Sequence, residues 1–271
     1  MLNLKSMDNT TLGNRMKDYE NAFRTYVPEK SYIVLRLDGK AFHTYTKGLN
    51  KPYDYHLMED MAETAQYLCE NIQGAWWGYT QSDEITLVLT PFAKETSDSW
   101  FKGNIQKMVS ISAAMATAKF NILRREGRGI NKIALFDSRV FILPSKEEVM
   151  NCLIWRQRDA IKNSISMAAQ SVYSHRELNK KNGTEQLEML LDKGIDWNEY
   201  PTSAKCGTII RKYRTTYTND GQYKNQPDTF ERTFWKAEGA FEFTVDGTID
   251  TLIPSPGYGN GDKIKELLPE L

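Results

Sequence analysis

The residues best suited to chemistry are two short acidic segments, each set against a predicted strand. Asp38 and Gly39 end one apolar run, and Asp83 and Glu84 open another. Carboxylate oxygens and a freely placed backbone carbonyl, which Gly39 offers, are ligands that Mg²⁺ prefers. Two such ions can activate an attacking hydroxyl and neutralise charge on a phosphate. If the fold brings the segments together, they indicate a metal site of the kind that transfers nucleotidyl groups.

Each segment also has an ordinary explanation. Asp38 with Gly39 is a typical turn sequence, and Ser82 with Asp83 is typical of a hairpin tip. Their joint position at matching strand ends favours the metal site.

Hydrophobic spacing predicts the elements that would position these segments. Strands are expected over 31–37, 76–80 and 84–90, with a further strand pair over 133–136 and 140–143. Helices are expected from Asp54 to near Gly74 and over 100–123. This order is the ferredoxin-like split βαβ pattern, in which the first and third strands are central antiparallel neighbours. The topology therefore places Asp38 beside Asp83 and Glu84.

The predicted fold class is α+β: a palm-like, ferredoxin-type antiparallel sheet with helices on one face, plus a helical and strand-containing C-terminal extension. We expect residues 1–144 to form the palm-like catalytic domain and residues 145–271 to pack on it, with the boundary near Pro144. In the extension, a helix from Ser145, a short helix over 184–193 and strands over 208–213 and 229–235 are predicted. Trp155 is predicted to be a core residue, and the helix over 100–123 is expected to bury a stripe consisting of Met108, Ile111, Met115, Ala118 and Ile122.

Composition restricts the class of protein. The 35 Lys and Arg residues balance 35 Asp and Glu, so a nucleic-acid partner would have to be bound by local patches. Three scattered cysteines without a CxxC motif indicate a reducing compartment, and three dispersed histidines do not suggest zinc. No apolar run approaches the roughly 20 residues that span a bilayer. We therefore expect a cytoplasmic protein that binds no membrane.

The motifs of other phosphate-binding folds are missing from the sequence. There is no P-loop, no GxGxxG and no nucleophile elbow. Phosphoryl chemistry would therefore be of the palm type. Basic residues near 124–139 could bind phosphates, although an exposed basic loop is the usual explanation for such a cluster.

Five segments, in this order along the chain, resemble the tRNA-His guanylyltransferase family and its guanylyltransferase-like branch. They are Arg-Leu-Asp-Gly-Lys-Ala-Phe-His at 36–43, Lys-Pro-Tyr-Asp at 51–54, Gln-Ser-Asp-Glu at 81–84, Phe-Asp-Ser-Arg-Val at 136–140, and Trp-Arg-Gln with Asp159 at 155–159. The similarity covers residues 15–215 approximately. No single segment is specific, but the ordered combination is.

The resemblance implies a palm that adds nucleotides in the 3′-to-5′ direction at the 5′ end of tRNA. A 5′-monophosphorylated end is first adenylylated with ATP, and the 3′-hydroxyl of a nucleoside triphosphate, GTP among them, then attacks the activated phosphate. It also implies a homotetramer.

The resemblance assigns roles to residues of this sequence. Asp38 and Asp83 would hold two Mg²⁺ ions with the Gly39 carbonyl, and Glu84 would support them. The expected nucleotide contacts are Gly39, Lys40, Ala41, Phe42, His43, Lys51, Asp54, Ser82 and Lys107. The expected RNA contacts are Arg124, Arg125, Arg128, Arg139, Arg156, Asn163 and Lys205.

Some segments depart from the family pattern. Where members specific for tRNA-His carry His-Ile-Asn-Asn-Leu-Tyr-Asn, residues 161–165 read Ile-Lys-Asn-Ser-Ile, and Gly103 and Asn104 replace family arginines. The departure at 161–165 favours template-directed repair of tRNA 5′ ends over dedicated addition of G to tRNA-His. The replacement by Gly103 and Asn104 implies that one triphosphate contact is lost or supplied by another residue. Two alternatives stay open: transfer between small nucleotides on the same palm, and an inactive palm scaffold that binds RNA.

Overall fold

The computed structural model describes residues 11–92, 97–219, 227–246, 252–255 and 268–270. Its strands are β1 (Tyr32–Gly39), β2 (Ala75–Gln81), β3 (Glu84–Leu89), β4 (Phe136–Leu143), β5 (Thr208–Thr218) and β6 (Thr229–Gly239). Its helices are α1 (Thr11–Asn21), α2 (Phe42–Tyr45), α3 (Tyr55–Asn71), α4 (Ile105–Ile122), α5 (Lys146–Gln170), α6 (Gly183–Asp192) and α7 (Thr202–Cys206). Short non-α turns lie at Trp100–Gly103, Leu123–Gly127 and Trp197–Glu199.

The strands form one six-stranded sheet in the order β4-β1-β3-β2-β5-β6, and the recorded pairings between neighbours are antiparallel. β1 lies between β3 and β4, so the predicted central pair of first and third strands is confirmed. The C-terminal strands β5 and β6 extend the same sheet from the outer edge of β2. The α+β fold class is confirmed.

The two faces of β1 bury different groups because successive side chains of a strand point to opposite faces. Ile33, Leu35 and Leu37 are completely buried in the cluster formed with α3 and α4. Each such side chain contributes about 1.5–3 kcal/mol through burial. On the opposite face, α5 covers the start of the strand through a cluster that includes Tyr32, Val149 and Leu153.

Residues 133–136 do not form the separate strand that the sequence predicted. Ile133 is 73% exposed, and β4 begins only at Phe136. The reason is a side chain of α4: the Asn121 amide accepts from the Ala134 N–H at 2.8 Å and donates to its carbonyl at 2.8 Å. The backbone here is therefore hydrogen-bonded to a helix.

The buried face of α4 is also rotated relative to the predicted stripe. Met108 is buried as expected, but Ile111, Ala118 and Ile122 are exposed. The residues buried instead, besides Met108, are Ser112, Ala116 and Phe120. The small Ser112 lets the helix approach β4, where its hydroxyl lies 2.8 Å from that of Ser138. Close packing against the sheet therefore outweighs the burial of two isoleucines.

Trp155 is wrongly predicted as core, since it is 54% exposed. The inward face of α5 at this level carries Leu153 and Arg156, which are both buried. Among the described residues, no helix is long and apolar enough to cross a membrane.

Candidate active site

The ends of β1 and β3 bring the two acidic segments together. Asp38 is the direct cross-strand neighbour of Glu84. Asp83 precedes Glu84 in the tight turn between β2 and β3, and the Gly39 N–H donates to the Asp83 carbonyl at 3.1 Å. Ser82, in the same turn, has a φ of +51°, a conformation uncommon for a residue with a side chain. The sheet itself therefore sets the positions of both aspartates.

The carboxylates of Asp38 and Asp83 are sparsely paired. Asp38 is half-exposed, and its ion pair with Arg139 is long, at 3.8 Å. Asp83 receives a hydrogen bond from the Ser82 hydroxyl at 3.1 Å. Burial raises the pKa of Asp83, and the charges of Asp38 and Glu84 raise it further. Two acidic groups that repel each other in this way are suited to a bound cation.

The chemistry of this donor set fits Mg²⁺, which prefers carboxylate and carbonyl oxygens and keeps several waters. Asp38, Asp83 and the Gly39 carbonyl supply such oxygens. Within the described ranges, no group of three or more His, Cys, Asp or Glu side chains forms a metal cluster. A metal here would therefore be held by the two aspartates and the backbone.

Glu84 has a different environment from the aspartates. Its side chain is 9% exposed and accepts a hydrogen bond from the Arg156 Nε at 2.7 Å. Arg156 also donates to Asp159 at 3.0 Å. Glu84 therefore connects β3 to α5. This ion pair fixes the position of α5 relative to the two aspartates.

A cleft of about 790 Å³ opens beside Asp83. Eight residues predicted for the nucleotide or the metal line it: Gly39, Ala41, Phe42, His43, Lys51, Asp54, Ser82 and Asp83. Gly39 is required sterically, because a Cβ there would lie 2.2 Å from the Phe42 ring. The structure therefore brings most of the predicted nucleotide contacts to one cleft.

Lys40 and Lys107 do not line the cleft. Lys40 is exposed, and its N–H donates to the Leu135 carbonyl. Lys107 lies in the first turn of α4, over the ring of Phe101. The Ser112 hydroxyl of the same helix contacts Ser138, near the start of β4. Lys107 precedes Ser112 in α4, so it lies towards the end of the sheet that is remote from Asp38. Lys107 is therefore remote from this cleft, whereas Lys40 lies between two residues that line it, Gly39 and Ala41.

The loop before α3 is tied to both walls of the cleft. Asp54 caps α3 by accepting from the Leu57 N–H at 2.8 Å, and it also accepts from the Asn50 N–H at 3.2 Å. Tyr53 is buried, and its hydroxyl donates to the Ser164 carbonyl on α5 at 2.9 Å. These bonds hold the loop that presents Lys51 against α5.

Sequence reasoning missed the α5 side of the cleft except for Asn163, which was expected to contact RNA. Its lining residues are Ala160, Asn163, Ser164, Met167 and Gln170, joined by Ser203, Ala204 and Gly207 from around α7. The helical spacing of small and polar residues on α5 was a usable signal. Nothing in the local sequence indicated which cleft that face would line.

The residues predicted to contact RNA do not form one surface. Arg124 is 1% exposed and ion-paired with Asp60 at 2.8 Å, and Arg156 is buried against Glu84. Their charges are therefore used internally, and we remove both from the expected RNA contacts.

The other predicted RNA contacts are spread over the molecule. Arg125 is exposed, whereas Arg128 pairs with Glu59 and Asp60. Lys205 donates to the Asn198 carbonyl, and Asn163 lines the cleft beside Asp83. Arg139 is the one predicted RNA contact that forms an ion pair with Asp38.

Comparisons with known proteins agree with this geometry. The family model described as tRNAHis guanylyltransferase matches residues 13–144. A bacterial tRNA(His) guanylyltransferase (Thg1)-like protein solved in complex with ATP is 43% identical, with a TM-score of 0.75, over 84% of this chain and 92% of that chain. The corresponding GTP complex is 42% identical, with a TM-score of 0.67, over 85% and 91%. A probable tRNA(His) guanylyltransferase of Drosophila melanogaster is 26% identical over 223 residues, which are 76% of each chain.

Proposed function

Because the chain belongs to the tRNA-His guanylyltransferase family and is a nucleotidyltransferase, we propose that it extends the 5′ end of tRNA in the 3′-to-5′ direction and depends on Mg²⁺. The observation that carries the proposal is the meeting of Asp38 and Asp83 at one sheet edge, beside the nucleotide cleft. The proteins of the family solved with ATP and GTP support nucleoside triphosphates as substrates.

In this proposal, Asp38, Asp83 and the Gly39 carbonyl hold two Mg²⁺ ions. Such ions, when bound, lower the pKa of an attacking hydroxyl and offset charge on the phosphate. The cleft wall from Gly39 to His43 and the side chain of Lys51 bind the triphosphate.

The reaction has two transfers. An oxygen of the RNA 5′-monophosphate attacks the α-phosphorus of ATP, and pyrophosphate leaves with the electrons of the broken bond. The 3′-hydroxyl of the incoming nucleotide then loses its proton and attacks the activated 5′ phosphorus, and AMP leaves. In this proposal both transfers take place beside Asp38 and Asp83, so the two carboxylates serve each of them.

We favour template-directed repair over the addition of a fixed G. The guanylyltransferase-like protein is 43% identical to this chain, whereas the guanylyltransferase of Drosophila melanogaster is 26% identical. Dedicated addition of G to tRNA-His is the second candidate, because the curated relatives carry that name. On the family resemblance we further propose a homotetramer that works in the cytoplasm.

The test is a gel assay with a 5′-truncated, 5′-phosphorylated tRNA, Mg²⁺, ATP and all four nucleotides. The wild type and the exposed control Asp192→Ala should extend the RNA according to the opposing strand, whereas Asp38→Ala and Asp83→Ala should not. Retained extension in either active-site variant would contradict the metal assignment.

Other outcomes select the alternatives. Addition of G to tRNA-His alone would identify a dedicated guanylyltransferase. Nucleotide transfer that needs no RNA would favour small-nucleotide chemistry. Binding of RNA without extension under any nucleotide mixture would identify an inactive scaffold.

A further inference from the structure

A second polar surface lies on the sheet face that carries Asp38. Arg36 and Asp38 are two residues apart on β1, so their side chains share a face about 7 Å apart. Arg139 on β4 is the direct cross-strand neighbour of Arg36. Two arginines therefore lie side by side on this face of the sheet, two residues along β1 from Asp38.

Arg36 is not neutralised by the protein around it. Across the parts of the chain that the structure describes, no carboxylate forms an ion pair with Arg36, and its buried Nε has no hydrogen-bond partner. Like charges placed directly opposite each other destabilise a sheet, and a buried donor without an acceptor adds to the cost. An anion bound between Arg36 and Arg139 would remove both penalties.

Trp155 lies next to Arg36 and is exposed. The Arg36 guanidinium carbon is 5.4 Å from the centroid of the Trp155 ring, and that of Arg156 is 4.5 Å from it. Arg156 differs from Arg36 because Glu84 and Asp159 neutralise it. An exposed indole held among cations is typical of surfaces on which nucleobases stack.

This surface is separate from the nucleotide cleft. None of Arg36, Arg139 and Trp155 lines that cleft, although Asp38 lies next to Gly39, which does. A transfer between two substrates needs a second ligand that reaches the same carboxylates. Arg36 has no ion-pair partner among the described residues, and the contacts of Arg139 with Asp38 and Asp137 are long, at 3.8 and 3.6 Å. Together with an exposed indole, these arginines fit a ligand with both a phosphate and a base.

We propose that Arg36, Arg139 and Trp155 bind the 5′-terminal nucleotide of the RNA substrate. The phosphate lies between the two arginines, and the terminal base packs on the exposed part of the indole. The inference rests on the proposed function, since it names the site of the RNA that is to be extended.

The experiment measures the binding of a short acceptor-stem hairpin RNA to the full-length protein, by fluorescence anisotropy and without nucleotide. The hairpin carries either a 5′-phosphate or a 5′-hydroxyl. The variants are Arg36→Gln, Trp155→Ala and Trp155→Phe, with Arg158→Gln as a matched control, because Arg158 is an exposed arginine of the same helix. Binding of ATP to each variant is measured in parallel as a test of the neighbouring cleft.

The wild type should bind the 5′-phosphorylated hairpin roughly tenfold more tightly, and Arg36→Gln should remove that preference. Trp155→Ala should weaken both hairpins by roughly fivefold to a hundredfold, and Trp155→Phe should restore most of the loss. Arg158→Gln should keep the preference, and ATP binding should be unchanged throughout.

Four outcomes would overturn the inference: a wild type indifferent to the 5′-phosphate, a preference that survives in Arg36→Gln, an equal loss in Arg158→Gln, or full RNA binding by Trp155→Ala. Competition of excess ATP with the hairpin would instead assign the surface to free nucleotides. This experiment measures binding alone. If the proposed function were wrong, the wild type would bind the RNA here but would never extend it in the gel assay.

Discussion

At the scale of single residues, the site depends on how Asp83 is held. Burial and the neighbouring acids raise the pKa of Asp83 above its ordinary value. The folded protein therefore binds a proton on Asp83 more readily than the unfolded chain does. The resulting stabilisation is complete below the ordinary pKa and is lost as the pH rises through the folded value. At neutral pH, the charge of Asp83 is thus maintained at a cost to stability.

Asp83→Asn should consequently raise the melting temperature at pH 7 in the absence of metal, while nucleotide addition is lost. The gain should shrink as the pH is lowered towards the ordinary value of about 3.9. Added Mg²⁺ should raise the melting temperature of the wild type more than that of the variant. Thermal melts across pH, with and without Mg²⁺, measure both effects. A variant less stable than the wild type at pH 7 would show that Asp83 is a structural residue.

At the scale of elements, the ion pair between Glu84 and Arg156 joins β3 to α5. Both side chains are 9% exposed, so loss of one partner leaves the other charge buried and unpaired. Such a change costs about 3–5 kcal/mol, whereas replacing both partners by neutral groups costs much less. The pair therefore fixes α5 relative to the edge of the sheet that carries Asp38 and Asp83.

Arg156→Met should lower the free energy of unfolding by about 3–5 kcal/mol, and Glu84→Gln in the same chain should recover part of it. Arg158→Met, an exposed change in the same helix, should stay within about 0.5 kcal/mol of the wild type. Urea denaturation measures all of these. If Arg156→Met and Arg158→Met were equally mild, the ion pair would not be what holds α5 in place.

At the scale of the whole molecule, the sheet links the palm to the C-terminal region. β5 pairs with β2, and α5 packs on the face of the sheet opposite α3 and α4. The Tyr53 hydroxyl adds a bond between the cleft loop and α5. Residues from both regions therefore share hydrophobic clusters, and each region supplies one wall of the cleft beside Asp83.

We expect the described regions to unfold together in one transition, because neither can open without exposing the cluster that it shares with the other. Far-ultraviolet circular dichroism and tryptophan fluorescence should then give coincident denaturation curves. Two separated transitions would indicate that residues 145–271 unfold independently of the palm.

The sequence by itself determined the order of the palm elements and the meeting of Asp38 with Asp83. Alternating and helical periodicity are local signals, and the ferredoxin-like order allows few arrangements of its strands. The role of Asp54 at the start of α3 could likewise be predicted from the sequence, because a helix cap involves residues within one turn of each other.

Only the tertiary structure decided which faces those elements bury and which charges they neutralise. The rotation of α4 follows from its contact with β4, and the exposure of Trp155 follows from the docking of α5 through its neighbours. The pairing of Arg124 with Asp60 and of Arg156 with Glu84 joins residues far apart in the chain. No local pattern encodes these contacts, because they depend on how separate elements pack. Among the described residues, the same packing gives Arg36 no ion-pair partner and leaves its buried Nε without a hydrogen bond.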